Sequence, residues 1–452
     1  MHGASRLAAY FVFLLAPLPF GSTDLLWICL WTLLLAFSLL TSDLSKVGRA
    51  HLRLLLPLFV TLALIAGVVA IQTWPDPSVG QADQAWPSAR NLLGLSLPDR
   101  ISLTANEPWL AFGYPLLFSL AVTRAVMLAA DAVAARQLVR ILAWTGFCYA
   151  LYGILAETLD PEALLFRHKE AYLGVATGTF VNRNTAATFW GSSALLFLVP
   201  LLRALHRRDW SKSLDARPFA RLSRYLSSMP ALLTGFSVCT LATAMTSSRA
   251  GLLISIFAYL LAGALYLTPL RLQGPRRWGL ATGALAAAAL LLELFGGLVN
   301  GRIAAYGLVD QGRVWAYRSS ITAIRDHPLL GTGLGSFEAA FPPYRAAELG
   351  SLGIWDRAHS TPLEFAVELG LPAAAVVVVV ALWYGYKLLY GSLLRRRDRY
   401  LPIAGASVGL LGVLHSCVDF SLQIPGYGLF FAAVVGCGLA QCIASSEKSL
   451  LD

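Results

Sequence analysis

A chain of 452 residues that is 57% hydrophobic and only 13% charged cannot clothe a soluble surface, which ordinarily carries roughly 25% charged residues. Apolar runs of about 18 residues recur along it, the mark of a polytopic helical membrane protein. The net charge of +10 sits mainly in short connectors between those runs, so it reads as membrane orientation rather than as a nucleic-acid footprint.

The first two runs, Arg6–Phe20 and Asp24–Leu40, form a hairpin turned at PLPFGSTD. No small-residue cleavage site follows the first run near Phe20, so it is expected to be retained. A basic connector with Lys46, Arg49 and Arg53 leads to a third span, about Leu54 to Ile71. The stretch Gln72–Glu107 is polar, rich in Pro and Trp and nearly free of Lys and Arg, as an external loop would be. Spans four (about Pro108–Met127) and five (about Leu138–Leu155) are joined by a connector with Arg124, Arg136 and Arg140. A second external segment, Glu157–Asn182, ends at GTFVNRN.

Span six, about Thr185–Leu202, is followed by the most basic loop, Arg203 to Arg224. Spans seven (about Ala231–Ala244) and eight (about Leu252–Leu267) are separated only by MTSSRAG. After Arg271, Arg276 and Arg277 comes span nine, about Gly279–Val299. A polar island of roughly 60 residues follows. Span ten (about Leu363–Tyr386) ends at RRRDR, and spans eleven (about Leu401–Leu414) and twelve (about Gly428–Ile443) flank HSCVDFSLQIPG. The expected fold is therefore an all-α polytopic membrane protein of about twelve spans with both ends cytoplasmic, about two thirds of its Lys and Arg lying inside. Its expected division is 1–299 for spans one to nine, 300–361 for a helical external domain, and 362–452 for spans ten to twelve and a short tail.

Within the island, apolar residues at Val314, Tyr317, Ile321 and Ile324 recur at helical spacing and predict a helix over about Gly312–Arg325. Pro328 stops it by disfavouring helical geometry at His327. GTGLG follows no predicted strand, so its glycines read as a turn rather than as a nucleotide loop. The six cysteines lie in or beside apolar runs without metal-ligand spacing and read as small buried hydrophobes.

Several charged groups invite a chemical reading. Arg249, in TSSRAG, stands at the junction of two spans; a charge at membrane depth costs roughly 2.5–3.5 kcal/mol, so it faces a partner or cavity or snorkels to the headgroups. Arg313 opens the island helix, where anions are favoured, and a guanidinium grips phosphate oxygens bidentately. Two arginines from separate segments could clamp a pyrophosphate. Arg318 and Arg325 further along read as surface or headgroup contacts. His359, in RAHSTPLEF, could accept a proton from a hydroxyl near neutral pH, or be a lone structural histidine. Glu364 and Glu368, one turn apart on span ten, either orient a cation or end an interfacial belt. His415 and Asp419, at i and i+4, are equally a structural or a catalytic pair. No paired acidic motif for a divalent ion occurs in the external loops, and no Ser-His-Asp signature occurs either.

The stretches GTFVNRN, TSSRAG, GRVWAYRSSITAIRDHPLLGTGLGSF with RAHSTPLEFAVELGLP, and HSCVDFSLQIP together resemble the O-antigen ligase family, which also includes O-antigen and exopolysaccharide polymerases and protein oligosaccharyltransferases. The resemblance covers mainly Gly178–Pro425; the first five spans add only hydropathy. It implies a bacterial inner-membrane, GT-C-like glycosyltransferase with its site facing the periplasm. Such an enzyme moves an undecaprenyl-pyrophosphate-linked glycan to an acceptor hydroxyl with inversion, without metal or cofactor. Arg249 and Arg313 would be catalytic and bind the donor pyrophosphate, His359 would be the general base, and Arg183 and Arg318 would be further substrate contacts. The acceptor would be lipid A-core or a nascent polysaccharide, with a protein side chain also open. Ser360 and Thr361 stand where many relatives carry Asn and a second polar residue, which leaves the acceptor undetermined. A transporter or flippase of an anionic or lipid-linked solute is the alternative; it also wants buried arginines but has no need of His359.

Overall fold

The computed structural model describes residues 2–77, 80, 82–207, 228–268, 311–350, 355–395 and 397–443. Span nine, most of the basic loop after Arg207, and Arg271 to Arg277 lie outside these residues. The described chain is helical apart from one two-residue hairpin, Ala163–Leu164 paired antiparallel with Arg167–His168. In order the main helices are α1 (His2–Leu15), α2 (Leu25–Leu40), α3 (Arg49–Thr73), α4 (Ala85–Leu93), α5 (Glu107–Ala111), α6 (Gly113–Ala129) and α7 (Ala132–Leu159). They continue as α8 (Arg183–Arg207), α9 (Met229–Met245), α10 (Arg249–Leu267), α11 (Gln311–Asp326), α12 (Thr361–Leu394), α13 (Tyr400–Ser416) and α14 (Pro425–Ile443).

Among the described residues, seven stretches are long and apolar enough to cross a membrane: α3, α5 with α6, α7, α8, α10, α12 and α14. Four shorter apolar helices, α1, α2, α9 and α13, complete the described bundle. Each coincides with one of the eleven expected spans that fall on described residues. α8 and α14 are central, with 83% and 89% of their apolar windows buried. Lipid is as apolar as leucine, so helices in it associate through close packing and small residues. Accordingly a Cβ placed on Gly191 of α8 would stand 2.1 Å from Ser255 Oγ of α10.

Arginines fasten the end of the bundle remote from the polar island. Arg136 Nη1 and Arg203 Nη1 lie 2.7 and 3.4 Å from the two carboxylate oxygens of Asp398. Lys46 pairs with Asp131 at 2.8 Å; burial would push that carboxyl up, but the lysine's hydrogen bond outweighs it and holds Asp131 below the usual range. Arg399 donates to the carbonyl of Leu265 at 2.9 Å, satisfying a carbonyl left over at the end of α10. Arg124 departs from expectation. It belongs to α6 rather than to a connector and is 2% exposed, donating to Ser38 Oγ at 2.7 Å and Ser5 Oγ at 3.2 Å. Two serines from neighbouring helices let a guanidinium sit where hydropathy alone would forbid it.

The island end is closed by backbone bonds between distant segments: Ala176 N–H to Met245 O at 3.0 Å and Gly426 N–H to Gly21 O at 2.7 Å. Helix α11 is the predicted island helix. Its buried side is the small-residue stripe Ala316, Ser319, Ser320 and Ala323 with Ile324, whereas Ile321 is 41% exposed. Small side chains permit the following segment to approach until the Ala346 N–H reaches Ser319 Oγ at 3.1 Å. Bulk did not select the buried face.

Helix α12 breaks at Gly370 (φ 79, ψ 164), a conformation reserved for glycine. The GTGLG turn packs into the break. Thr332 and Gly333 N–H donate to the carbonyls of Val367 and Glu368 at 2.9 and 3.1 Å, and Leu371 N–H donates to Pro328 O at 2.8 Å. A Cβ on Gly370 would lie 2.2 Å from the carbonyl oxygen of Leu329. Gln72, fully buried at the end of α3, donates to the carbonyls of Leu330 and Glu368 and accepts from Leu334 N–H at 3.2 Å. These glycines thus build a turn, as expected, and the turn replaces the helical partners that the break removes.

Candidate active site

Three of the proposed arginines lie in the first turn of their helices. Arg183 begins α8, Arg249 begins α10, and Arg313 is the third residue of α11. Each helix start presents backbone N–H groups and the positive end of the dipole, so the arrangement favours an anion. The first two starts are capped by polar side chains: Asn182 Oδ1 accepts from Asn184 N–H at 2.7 Å, and Ser248 Oγ accepts from Gly251 N–H at 3.2 Å. Ser247, just before that cap, has φ 51, which turns the chain sharply into α10.

Asp419 is where these segments meet. It is fully buried in the connector between α13 and α14. Its Oδ2 takes the Asn184 amide and faces Arg313 Nη2 at 3.3 Å. Its Oδ1 accepts from Phe420 N–H at 2.7 Å and faces His359 Nδ1 at 3.9 Å. Asn184 Oδ1 in turn accepts from Ser248 Oγ at 2.8 Å, which ties the start of α10, and so the segment bearing Arg249, to the same carboxylate. Arg313 Nη1 also donates to Val418 O at 2.5 Å. A buried carboxylate is tolerated only when cations and donors surround it. Burial pushes the Asp419 carboxyl up, but the His359 imidazole and the charges of His415 and Arg313 outweigh it and hold it below the usual carboxylate range.

His359 Nδ1 is turned toward the acid, at a distance beyond a formed hydrogen bond; such pairs often tighten only when substrate is bound. The residue has φ 52, a left-handed conformation that costs a non-glycine residue about 1–3 kcal/mol. Its carbonyl accepts from Tyr317 OH on α11 at 2.9 Å. Trp355 stands edge-on to the imidazole with ring centres 5.6 Å apart, and Phe420 covers another side at 5.1 Å.

The remaining residues divide. Arg183 lies beside Tyr172, its guanidinium carbon 5.4 Å from the ring centre. Its Nε and Nη1 are buried without an acceptor among the described residues, which leaves both donors available to an anionic ligand. Arg318 is not drawn in: it is exposed on α11 and covers Trp315 at 4.7 Å. His415 does not pair with Asp419 by hydrogen bond; its Nδ1 meets Ser421 Oγ at 3.1 Å. From the sequence alone Asn184 has no role, and Ser248 only that of a small residue beside Arg249. Their only signal was a polar residue beside an arginine at the start of an apolar run.

A bundle of long apolar helices with polar segments gathered at one end is the architecture of a multi-pass membrane protein. Residues 234–378, about a third of the chain, match the family model described as O-antigen ligase. No curated protein sequence matches the chain. The matched segment holds Arg249, Arg313, Arg318 and His359, while Arg183 and Asp419 lie outside it.

Proposed function

We propose that this O-antigen ligase-type membrane glycosyltransferase transfers a glycan from undecaprenyl pyrophosphate to an acceptor hydroxyl, with inversion and without a metal. The observation that carries the reading is the convergence on Asp419: one carboxylate oxygen faces Arg313 and the other faces His359. A carboxylate in that position holds a proton on Nδ1 and leaves Nε2 free to accept one. The acceptor hydroxyl would give its proton to His359 as its oxygen attacks the anomeric carbon. The bond from that carbon to the pyrophosphate breaks on the opposite face, which inverts the configuration. Arg183, Arg249 and Arg313 would meet the charge that develops on the departing diphosphate.

The same reading places this end of the bundle in the periplasm of a bacterial inner membrane and counts twelve crossings. It is supported by the arginines and lysines at the other end, among them Lys46, Arg136, Arg203 and Arg399, as the positive-inside rule requires. Transport of an anionic solute would use the arginines but gives no role to a histidine set against a buried acid. The test is purified protein with an undecaprenyl-pyrophosphate-linked glycan and, separately, lipid A-core, free polysaccharide and protein acceptors. Transfer with release of the polyprenyl diphosphate is expected, lost in His359→Ala and Arg313→Ala. Transfer undiminished in both variants would remove the site.

A further inference from the structure

Glu364 lies on the first turn of α12 and is 1% exposed. Both of its oxygens are engaged by the two residues that precede His359. Oε1 accepts from Arg357 Nη1 at 3.0 Å, and Oε2 accepts from the Ala358 N–H at 2.8 Å. The next residue is His359, whose left-handed backbone must be held against its own preference. Arg357 Nη1 also donates to Gln423 Oε1 at 3.2 Å, and Gln423 Nε2 donates to Thr361 Oγ1 at 3.2 Å. Gln423 stands four residues after Asp419, in the turn Ser421–Gln423. The segment bearing the histidine and the segment bearing its acid are therefore cross-tied by one network, although 60 residues of chain separate them.

We propose that Glu364 is a positioning residue: by gripping Arg357 and the Ala358 N–H it sets the backbone of His359, and through Gln423 it fixes the distance from His359 to Asp419. The inference rests on the transferase reading for its catalytic consequence, but not for its geometry. A carboxylate accepts from both donors, whereas the amide of Glu364→Gln turns its NH2 toward one of them, so one of the two contacts must be lost. The arginines at the helix starts are untouched by this change. A small misplacement of a reacting group costs on the order of a hundredfold in rate.

The experiment uses the full chain in lipid nanodiscs. In Glu364→Gln, kcat falls about a hundredfold while KM for the lipid-linked donor stays at the wild-type value. Glu364→Asp, which keeps the charge with a shorter reach, recovers part of the loss. The control is Glu368→Gln, a buried acid one turn further on whose Oε1 accepts from Phe337 N–H at 3.2 Å; its kcat matches wild type. A second readout needs no turnover: the imidazole resonances of ring-labelled His359 move in Glu364→Gln and not in Glu368→Gln. An unmoved His359 signal with wild-type kcat in Glu364→Gln overturns the proposal, and so does an equal fall of kcat in both variants. If wild-type protein transfers no glycan, the transferase reading fails on its own, and the resonance shift still decides whether Glu364 positions His359.

Discussion

Arg313 and Asp419 form an ion pair of unequal partners: the arginine retains 22% of its side-chain exposure, while the acid, 3.3 Å away, has none. The cation therefore faces both ways, anchored to a buried carboxylate and open to whatever approaches from outside. Asp419→Asn removes that anchor and leaves His359 without a charge to orient it. We expect transfer to fall by about 10²- to 10⁴-fold, the range a positioned general base contributes, with expression and membrane insertion retained. Initial rates with purified variant and wild type check this; less than a threefold loss would show that the acid has no part in the chemistry.

The same acid sets a stability window. Its folded carboxyl is held below the ordinary range by His359, His415 and Arg313 against the upward push of burial. Such a group contributes stability that is fully present above its unfolded value, near ~3.9 for aspartate, and that is lost as pH falls through the lower folded value. Thermal unfolding of wild type should therefore weaken steeply only on strong acidification. Asp419→Asn should start less stable at neutral pH and lose less between pH 5 and the acid limit. Parallel melting curves of the two proteins would contradict the assignment.

The arginines should separate into two kinds. Arg183 has two buried donors without an acceptor among the described residues, whereas Arg318 is exposed and engaged with Trp315. Arg183→Ala is expected to weaken donor use by about 10²–10³ in kcat/KM, the scale of removing one charge-stabilising donor. Arg318→Ala should stay within about twofold, as an exposed cation–π contact is worth only ~0.5–1 kcal/mol and lies off the site. Steady-state kinetics with varied lipid-linked donor distinguishes them. Equal losses in both variants would mean that the diphosphate lies along α11 instead.

Much of this site could be read from the chain, and the failures have physical causes. Hydropathy places helices well because every backbone group in lipid must be satisfied within a helix; the apolar helices recur where the runs predict them. Arg249 stands out as a candidate because a charge beside a span is costly, and Arg313 because it opens a helix where anions are favoured. Arg318 looked similar only by nearness in sequence. Five residues on, it points about 140° around the helix from Arg313. Asp419 was noticed but joined to His415 by its i, i+4 spacing, while in the fold its carboxylate turns to three other segments, carrying Asn184, Arg313 and His359. Side-chain direction across 60 to 235 residues of separation leaves no trace in local pattern.

Gly370→Ala tests the break in α12. The residue has φ +79, and its added Cβ would sit 2.2 Å from Leu329 O, a backbone atom with no room to retreat. The variant should misfold or lose thermal stability by more than the ~1–3 kcal/mol of a strained backbone alone. Gln72→Leu, which takes the side-chain partner from Leu330 O and Leu334 N–H while Glu368 O keeps its bond from Gly333 N–H, should cost about 1–3 kcal/mol for each group left unsatisfied. Melting temperature in matched detergent measures both, and a wild-type value for either would show that the turn does not support the helix.

The contact of Gln72 with that turn has a wider consequence. The first three spans carry no residue of the site and lie outside the matched family segment, so they look like a detachable membrane anchor. Yet the last turn of the third inserts an amide among the backbone groups that brace the segment leading from Arg313 to His359. A chimera that exchanged the leading helices for those of another transporter-sized protein would inherit a full set of crossings and lose the keystone. The amino-terminal sixth of the chain is a structural dependency of the candidate site, and trimming or swapping it should be felt at the far end of the sequence.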